Sequence, residues 1–320
     1  MPRRVLVIRL GAMGDIIHAL PAVATLKTGI GDCHLTWLVE PRWSPLLQGN
    51  PFVDEVWELD RSDWSGIKQS WTRLREGGFD VAVDLQGLIK SALCAFAASP
   101  HYSFGFHYSA AREKAASLLY TNRIRTESRH VVDRYLDIAL AAAGTARATK
   151  LFPLPQGAPE GTLPDGPFIL ASPFAGWAAK QWPLEHYSRL ARLLANDVNL
   201  PLVVNGPPES ATELRRVEGA HVHLSGLPGL IDATRRAVGV VGVDSGPLHM
   251  AAALKIPGVA IFGPTDPARN GPYGDAMTVL RDADAATTYK RVRRIDPAMA
   301  AIAPERVMDA LKVRLTQETR

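Results

Sequence analysis

Residues 3–22 read RRVLVIRLGAMGDIIHALPA. Val5, Leu6, Val7 and Ile8 form a short apolar run rich in β-branched residues, which suits a strand buried on both faces. Gly11 and Gly14 follow in a turn, and apolar residues then recur at helical spacing from Ile16. A strand feeding a helix through a glycine turn is the opening of a βαβ unit. It is also where a dinucleotide fingerprint G-x-G-x-x-G would sit. The three fingerprint positions are Arg9, Gly11 and Gly14, so the first glycine is an arginine. An acidic residue, Glu40, ends the second strand candidate, later than the expected spacing of about 20 residues. Two readings stay open at this point. One is an NAD(P) site with a defective fingerprint. The other is a glycine turn that places Asp15 in the first turn of a helix, where a carboxylate meets the positive end of the dipole.

The same alternation continues outward. Strands are predicted over Arg4–Ile8, Leu35–Val39, Val53–Leu59, Val81–Leu85 and Tyr102–Phe106. Helices are predicted over Ile16–Lys27, Trp64–Glu76, Leu88–Ala98, Ala110–Tyr120 and Val131–Ala143. Residues 149–167, TKLFPLPQGAPEGTLPDGP, lack any period and are rich in Pro and Gly, which reads as an interdomain linker or a long surface loop. The alternation then restarts, with strands over Phe168–Ala171, Leu202–Val204, His221–Leu224, Val238–Val243, Val259–Phe262 and Met277–Leu280. Helices fill Leu184–Ala195, Ala211–Glu218, Leu230–Ala237, Leu248–Leu254 and Pro304–Gln317. The fold class is therefore α/β, with two Rossmann-like, doubly wound parallel sheets. The expected domains are 1–150, with a linker to about 166, and 167–320, the last helix packing back on the first domain.

The 320 residues are 47% hydrophobic and 21% charged, the texture of a globular chain with sizeable cores. A net charge of +4 suits anionic small molecules or an anionic membrane surface and is too weak to argue for nucleic acid. Between Arg61 and Arg134 there are eleven Lys/Arg against seven Asp/Glu, either a solvated face or a patch that steers toward anionic lipid. Cys33 and Cys94 have no metal-like spacing and read as reduced, buried thiols of a cytoplasmic chain. No signal-peptide core opens the sequence, and no apolar run reaches the roughly 20 residues of a membrane span.

Ligands of open parallel sheets bind beyond the C-terminal strand ends. Four such exits in the second half carry polar groups. VDSGPLHM (243–250) offers Asp244, Ser245, Gly246 and His249 at a helix start, a natural anion site. His249 is either an anion ligand there or a satisfied core histidine. SPFAGWAAKQWP (172–183) carries Gly176 and Lys180, the latter a charge partner for a diphosphate or a solvated lysine. VVNGPPES (203–210) carries Glu209, which would hold ribose hydroxyls or cap a helix. The fourth, IFGPTDP, offers Thr265 and Asp266. Together they describe a nucleotide-diphosphate pocket in the second domain, leaving Asp15 to serve an acceptor in the first.

At these residues the chain resembles the bacterial lipopolysaccharide heptosyltransferases of glycosyltransferase family 9. The resemblance rests on MGDIIHALPA (13–22), FDVAVDLQGLIKSA (79–92), AAREKAASLLY (110–120), KQWPLEHYSRL (180–190), VDSGPLHMAAAL (243–254) and FGPTDP (262–267). Residues 84–91 and 111–113 look more like the first-acting heptosyltransferases than the second-acting ones. The resemblance implies a GT-B fold, two Rossmann-like domains facing a central cleft. It implies inverting transfer of L-glycero-D-manno-heptose from ADP-heptose to Kdo of Kdo-lipid A, at the cytoplasmic face of a Gram-negative inner membrane. It places the general base on Asp15. Donor contacts fall on Lys180, Asp244, Ser245, Gly246 and His249, with Ser245 in place of the family's threonine. Ala175 and Gly176 stand where a relative has two threonines, so only backbone N–H groups remain. Glu209 aligns within one position of the ribose glutamate. Arg112, and more loosely Arg61, match acceptor-binding arginines. No metal is required, although Mg²⁺ on the diphosphate remains compatible. The alternatives are a later-acting heptosyltransferase of the same family or an NAD(P)-dependent oxidoreductase.

Overall fold

The computed structural model describes residues 2–60, 63–288 and 290–317. The chain forms two compact units, Met1–Pro155 and Gln156–Arg320.

The first unit contains, in chain order, β1 (Arg3–Ile8), α1 (Met13–Ile30), β2 (Cys33–Val39), β3 (Glu55–Glu58), α2 (Trp64–Glu76), β4 (Val81–Asp84), α3 (Ile89–Ala97), β5 (Tyr102–Phe106), β6 (Asn122–Ile124) and α4 (Val131–Ala143). Its sheet order is β3-β2-β1-β4-β5-β6, and each strand runs parallel to its neighbours. Val5 of β1 lies opposite Leu35 of β2 on one side and Val81 of β4 on the other. A strand paired on both edges and covered on both faces has no use for polar side chains, and Val5 to Ile8 are fully buried. Leu6 and Ile8 pack with Leu74 of α2 and with Cys94, Ala95 and Ala97 of α3. Helices α1 and α4 pack together elsewhere on the sheet.

The second unit contains β7 (Ile169–Ser172), α5 (Leu184–Val198), β8 (Leu202–Gly206), α6 (Ala211–Leu214), β9 (His221–Leu224), α7 (Leu227–Arg236), β10 (Gly239–Val243), α8 (Gly246–Ala253), β11 (Gly258–Phe262), α9 (Pro267–Asn270), β12 (Met277–Arg281), α10 (Pro297–Ala300) and α11 (Pro304–Gln317). Its order, β12-β11-β10-β7-β8-β9, repeats that of the first unit and is parallel throughout. In each unit the chain starts on a central strand, winds to one edge, and returns to wind to the other. The strand order therefore reverses between β1 and β4, and again between β7 and β10. Those switch points are where an open parallel sheet leaves a crevice for ligands.

Three expectations are corrected. Residues 110–120 form no α-helix; a short 3₁₀ segment over Lys114–Leu119 leads into β6, a strand the sequence did not announce. The predicted helix at Ala211–Glu218 stops at Leu214. The Pro/Gly-rich run is no free linker: its later part is fastened to the second unit, with His223 Nε2 2.7 Å from the Glu160 carbonyl and Gly226 N–H donating to Glu160 Oε2 at 2.6 Å. The last helix packs within its own unit, where Val307, Met308 and Leu311 join Ile169, Leu190 and Ile261 in one core. Neither cysteine is in a disulfide, and both are buried. No helix among the described residues is long and apolar enough to cross a membrane.

Candidate active site

In the first unit the polar groups gather around the β1–β4 switch point. Asp15 is the third residue of α1, and its Oδ2 accepts from the backbone N–H of Ala12 at 3.3 Å, closing the first turn. The same oxygen pairs with Arg9 at 2.5 Å. Arg9 is 4% exposed while Asp15 is 37% exposed, so the cation is buried beneath a carboxylate that reaches solvent. Burial opposes the Arg9 charge, but Asp15 beside it, with Tyr135 and Asp84 nearby, holds its pKa above the ordinary arginine value. The Arg9 guanidinium carbon also sits 5.6 Å from the Tyr135 ring centre. The arginine that spoils the dinucleotide fingerprint therefore anchors Asp15. An anionic carboxylate at the start of α1 would also repel a pyrophosphate there, which removes the physical basis of the NAD(P) alternative.

Behind Asp15 lies a buried brace. Asp84, the last residue of β4, accepts from Gln86 N at 2.7 Å and Gly87 N at 3.3 Å, from Ser91 Oγ at 2.7 Å and from Tyr120 Oη at 2.6 Å. Burial dominates these bonds and lifts the Asp84 carboxyl above its usual pKa; burial, reinforced by the Asp84 carboxylate, pushes the Tyr120 hydroxyl far up. Gln86 then reaches across with Oε1 to accept from Leu10 N at 2.9 Å, fixing the chain that leads to Asp15. Gly87 has φ +66°, and a Cβ there would meet the Phe106 ring at 2.9 Å and the Arg112 backbone nitrogen at 3.5 Å. The loop that carries Arg112 thus lies against the β4–α3 turn, with the Arg112 side chain exposed. Arg61 lies outside the described residues.

The second unit builds a different site at the β7–β10 switch point. Asp244, just past β10, pairs through Oδ2 with the Lys180 ammonium at 2.6 Å and lies 3.3 Å from His249 Nε2 through Oδ1. Lys180 also reaches the Asp244 carbonyl at 3.4 Å and stands 5.1 Å from the Trp177 ring centre. Burial works against ionisation of Asp244, but the His249 hydrogen bond and the Lys180 ammonium outweigh it and hold the carboxyl well below the ordinary range. An ionised carboxylate only accepts, so His249 Nε2 carries a proton. Lys180 has three donors and spends two on Asp244. Trp182 holds this loop in place by donating from Nε1 to the Ile302 carbonyl at 2.9 Å.

Ser245 is the N-cap residue of α8, yet its hydroxyl does not cap the helix. It is one of five buried hydroxyls without a hydrogen-bond partner among the described residues; two more of them, Ser172 and Thr265, belong to the same sheet's strand ends. The three sit at the C-terminal ends of β10, β7 and β11, three adjacent strands. Buried hydroxyls are rarely left unsatisfied without a reason. Here three stand at neighbouring strand ends, on the side of the sheet where α8 starts and Lys180 meets Asp244, an arrangement that suits an oxyanion. Gly176 lies open in the loop after β7, where an added Cβ would meet nothing within 4 Å. Ala175 precedes it, and Gly246 opens α8. Glu209 lies exposed just past β8.

So the structure brings Lys180, Asp244, Ser245, Gly246 and His249 together, and sets Asp15 in the other unit on its own brace. Reading the sequence missed Arg9, the Asp84–Tyr120 brace and the hydroxyl of Ser172. Arg9 was visible only as a flaw in a glycine pattern. Among the described residues no group of three or more His, Cys, Asp or Glu is placed to hold a metal ion.

The arrangement is shared with known proteins. Residues 67–298 match the model of glycosyltransferase family 9 (heptosyltransferase). Lipopolysaccharide heptosyltransferase 1 of Escherichia coli strain K12 is 29% identical over 304 residues, covering 87% of this chain and 93% of the relative. The solved structure of the E. coli heptosyltransferase WaaC with ADP superposes with a TM-score of 0.79 at 25% identity, covering 97% of this chain and 99% of that one. WaaC with ADP-2-deoxy-2-fluoro heptose gives 0.76 at 25% identity, covering 99% and 100%. With two parallel six-stranded sheets in the GT-B arrangement and a family match over most of its length, this chain belongs to glycosyltransferase family 9, the heptosyltransferases.

Proposed function

We propose that the protein transfers L-glycero-D-manno-heptose from ADP-heptose to a Kdo hydroxyl of Kdo-lipid A, with inversion, in building the lipopolysaccharide inner core. The observation that carries this reading is the second unit's oxyanion site, the Lys180–Asp244–His249 cluster with the unpartnered Ser245 hydroxyl at the start of α8. A diphosphate fits it by charge and by hydrogen bonding. The relatives named above are heptosyltransferases, one solved with ADP and one with an ADP-heptose analogue. The stretches 84–91 and 111–113 favour the first-acting kind of heptosyltransferase over the second.

In this mechanism the acceptor oxygen forms a bond to the anomeric carbon as the bond from that carbon to the β-phosphate oxygen of ADP breaks on the opposite face. Asp15 takes the acceptor proton. Arg9 orients the Asp15 carboxylate from below. The departing diphosphate gains charge, which Lys180, Ser245 and the α8 N–H groups stabilise. Glu209 holds the ribose, and the backbone N–H groups of Ala175 and Gly176 line the phosphates. Arg112, together with Arg61, meets anionic groups of the acceptor. All charge stabilisation is assigned to protein groups, with no metal required. The enzyme works as a peripheral protein at the cytoplasmic face of the inner membrane of a Gram-negative bacterium.

Asp15→Ala tests the reading. Turnover of ADP-heptose with Kdo-lipid A is expected to fall by at least ~10²-fold, while the thermal shift given by ADP stays at the wild-type value. Unchanged turnover overturns the base, and stabilisation by UDP or GDP sugars alone overturns the donor.

A further inference from the structure

The outer surface of the first unit carries a feature that the transfer chemistry does not use. Helix α2 places Trp64, Ile67 and Trp71 at i, i+3 and i+7, one stripe of its surface, and all three are exposed, Trp64 by 85%. Its neighbour α3 does the same with Ile89, Leu93 and Phe96 at i, i+4 and i+7. The two helices pack against each other and bury Leu74 and Ala95 in one core, so both lie on the same face of the sheet. A soluble surface rarely shows so much large apolar area without a partner. All five exposed aromatic residues among the described residues, Tyr102 and Tyr108 included, belong to this unit; the exposed large apolar residues of the second unit are valines.

Charge identifies the partner. The two helices carry Lys68, Arg73, Arg75 and Lys90 against Glu76 alone; Arg73 pairs with Glu55 and Lys90 with Glu40 from neighbouring segments, while Lys68 and Arg75 flank the tryptophan stripe. Tryptophan and aliphatic side chains flanked by lysine and arginine match the interface of an anionic bilayer, where indole rings settle at headgroup depth. A protein partner of ordinary polarity would not call for a basic excess around tryptophan. Placement agrees. Both helices begin at the C-terminal edge of the parallel sheet, so Trp64 and Ile89 stand at the same edge as Asp15. An acceptor sugar carried on a lipid would be met at that edge.

We infer that the outward face of α2 and α3 is a membrane-docking surface that seats the first unit on an anionic lipid bilayer. It rests on the lipid-linked acceptor proposed above, but binding to lipid and transfer of sugar are read separately. The test is cosedimentation of the full chain with phosphatidylcholine vesicles, with and without phosphatidylglycerol, at low and moderate salt. Wild type is expected to bind the phosphatidylglycerol vesicles, more weakly as salt rises. The double variants Trp64→Ser/Trp71→Ser and Leu93→Ser/Phe96→Ser are each expected to lose at least ~10-fold in partitioning. Both should keep wild-type turnover with a deacylated, water-soluble acceptor, which also shows that they fold. Equal partitioning of wild type and variants, or no binding by wild type at low salt, overturns the inference. So does a wild-type dimer that the substitutions dissociate, which would make the face a self-association surface. Failure of turnover with the soluble acceptor in wild type would instead overturn the proposed reaction and leave the vesicle result standing.

Discussion

Asp84 and Asp244 occupy equivalent places in two similar units. Each is buried, each stands at the C-terminal end of the strand beside the switch point, and each precedes a helix. Their partners differ. Asp84 is held by hydroxyls and backbone N–H groups, none of them charged. Asp244 is held by the Lys180 ammonium and the His249 ring. The difference moves the two carboxyls in opposite directions, Asp84 above its ordinary pKa and Asp244 below it. An aspartate after a strand is therefore not itself a functional sign. Neutral donors make it a brace; a cation whose remaining donor is open makes it part of a binding site.

Isosteric substitution should separate the two most widely. Asp244→Asn keeps the shape and removes the charge, leaving the Lys180 ammonium largely buried without its counter-ion. Breaking a buried pair in this way costs about 3 kcal/mol of unfolding free energy. A bound diphosphate supplies the missing anion, so ADP should raise the melting temperature of Asp244→Asn more than that of wild type. Asp84→Asn should cost less, about 2 kcal/mol: of the two hydroxyls that donate to Oδ2, Ser91 can turn its proton to the Leu88 carbonyl, 2.9 Å away, and accept from the new amide, so only the Tyr120 O–H loses its acceptor. ADP should stabilise Asp84→Asn as it does wild type. Equal losses in the two variants, by urea unfolding with and without ADP, would break the distinction.

Tyr120→Phe sharpens the brace side. It removes one of four donors to Asp84 and leaves a buried carboxyl partly unsatisfied, an expected loss of about 1.5 kcal/mol. The ADP-induced thermal shift should not change, since Tyr120 braces Asp84 in the first unit and the donor site is built from the second. A weakened response to ADP would show that the brace reaches further than its hydrogen bonds.

Much of this contrast was legible in the sequence, and unevenly. The second unit's site could be read because each polar group follows a strand directly, so Lys180, Asp244, Ser245 and His249 needed only parallel topology to meet. The first unit's brace could not. Tyr120 reaches Asp84 across 36 residues, through a segment whose alanines and leucines read as a helix. The chain there instead passes through a 3₁₀ turn, because β6 must pair with β5 and the Tyr120 ring must cross Gly105, where an added Cβ would come within 2.4 Å of it. Tertiary pairing overrode local propensity. Arg9 was misread for a related reason: a pattern built for one ligand reports a missing glycine and is silent on what the new side chain does. The segment 156–166 looked like linker because composition reports flexibility and not the hydrogen bonds of Glu160 to β9 and α7.

The smallest effect is the pH dependence, and its sign is the test. Asp244 has a folded pKa below its unfolded value of about 3.9. Below that pH the unfolded chain takes up a proton that the folded chain refuses, so the stability Asp244 contributes is present above about pH 4 and drains away as pH falls. Asp84 has a folded pKa above its unfolded value. In its window, above about pH 4, the folded chain keeps a proton that the unfolded chain has released, so stability declines as pH rises. Each slope is at most about 1.4 kcal/mol per pH unit. In urea unfolding across the acid range, the advantage of wild type over Asp244→Asn should shrink as pH drops below about 4. The standing of wild type relative to Asp84→Asn should improve as pH falls toward about 4 from above. Differences running in the same direction would mean that the two aspartates are held alike.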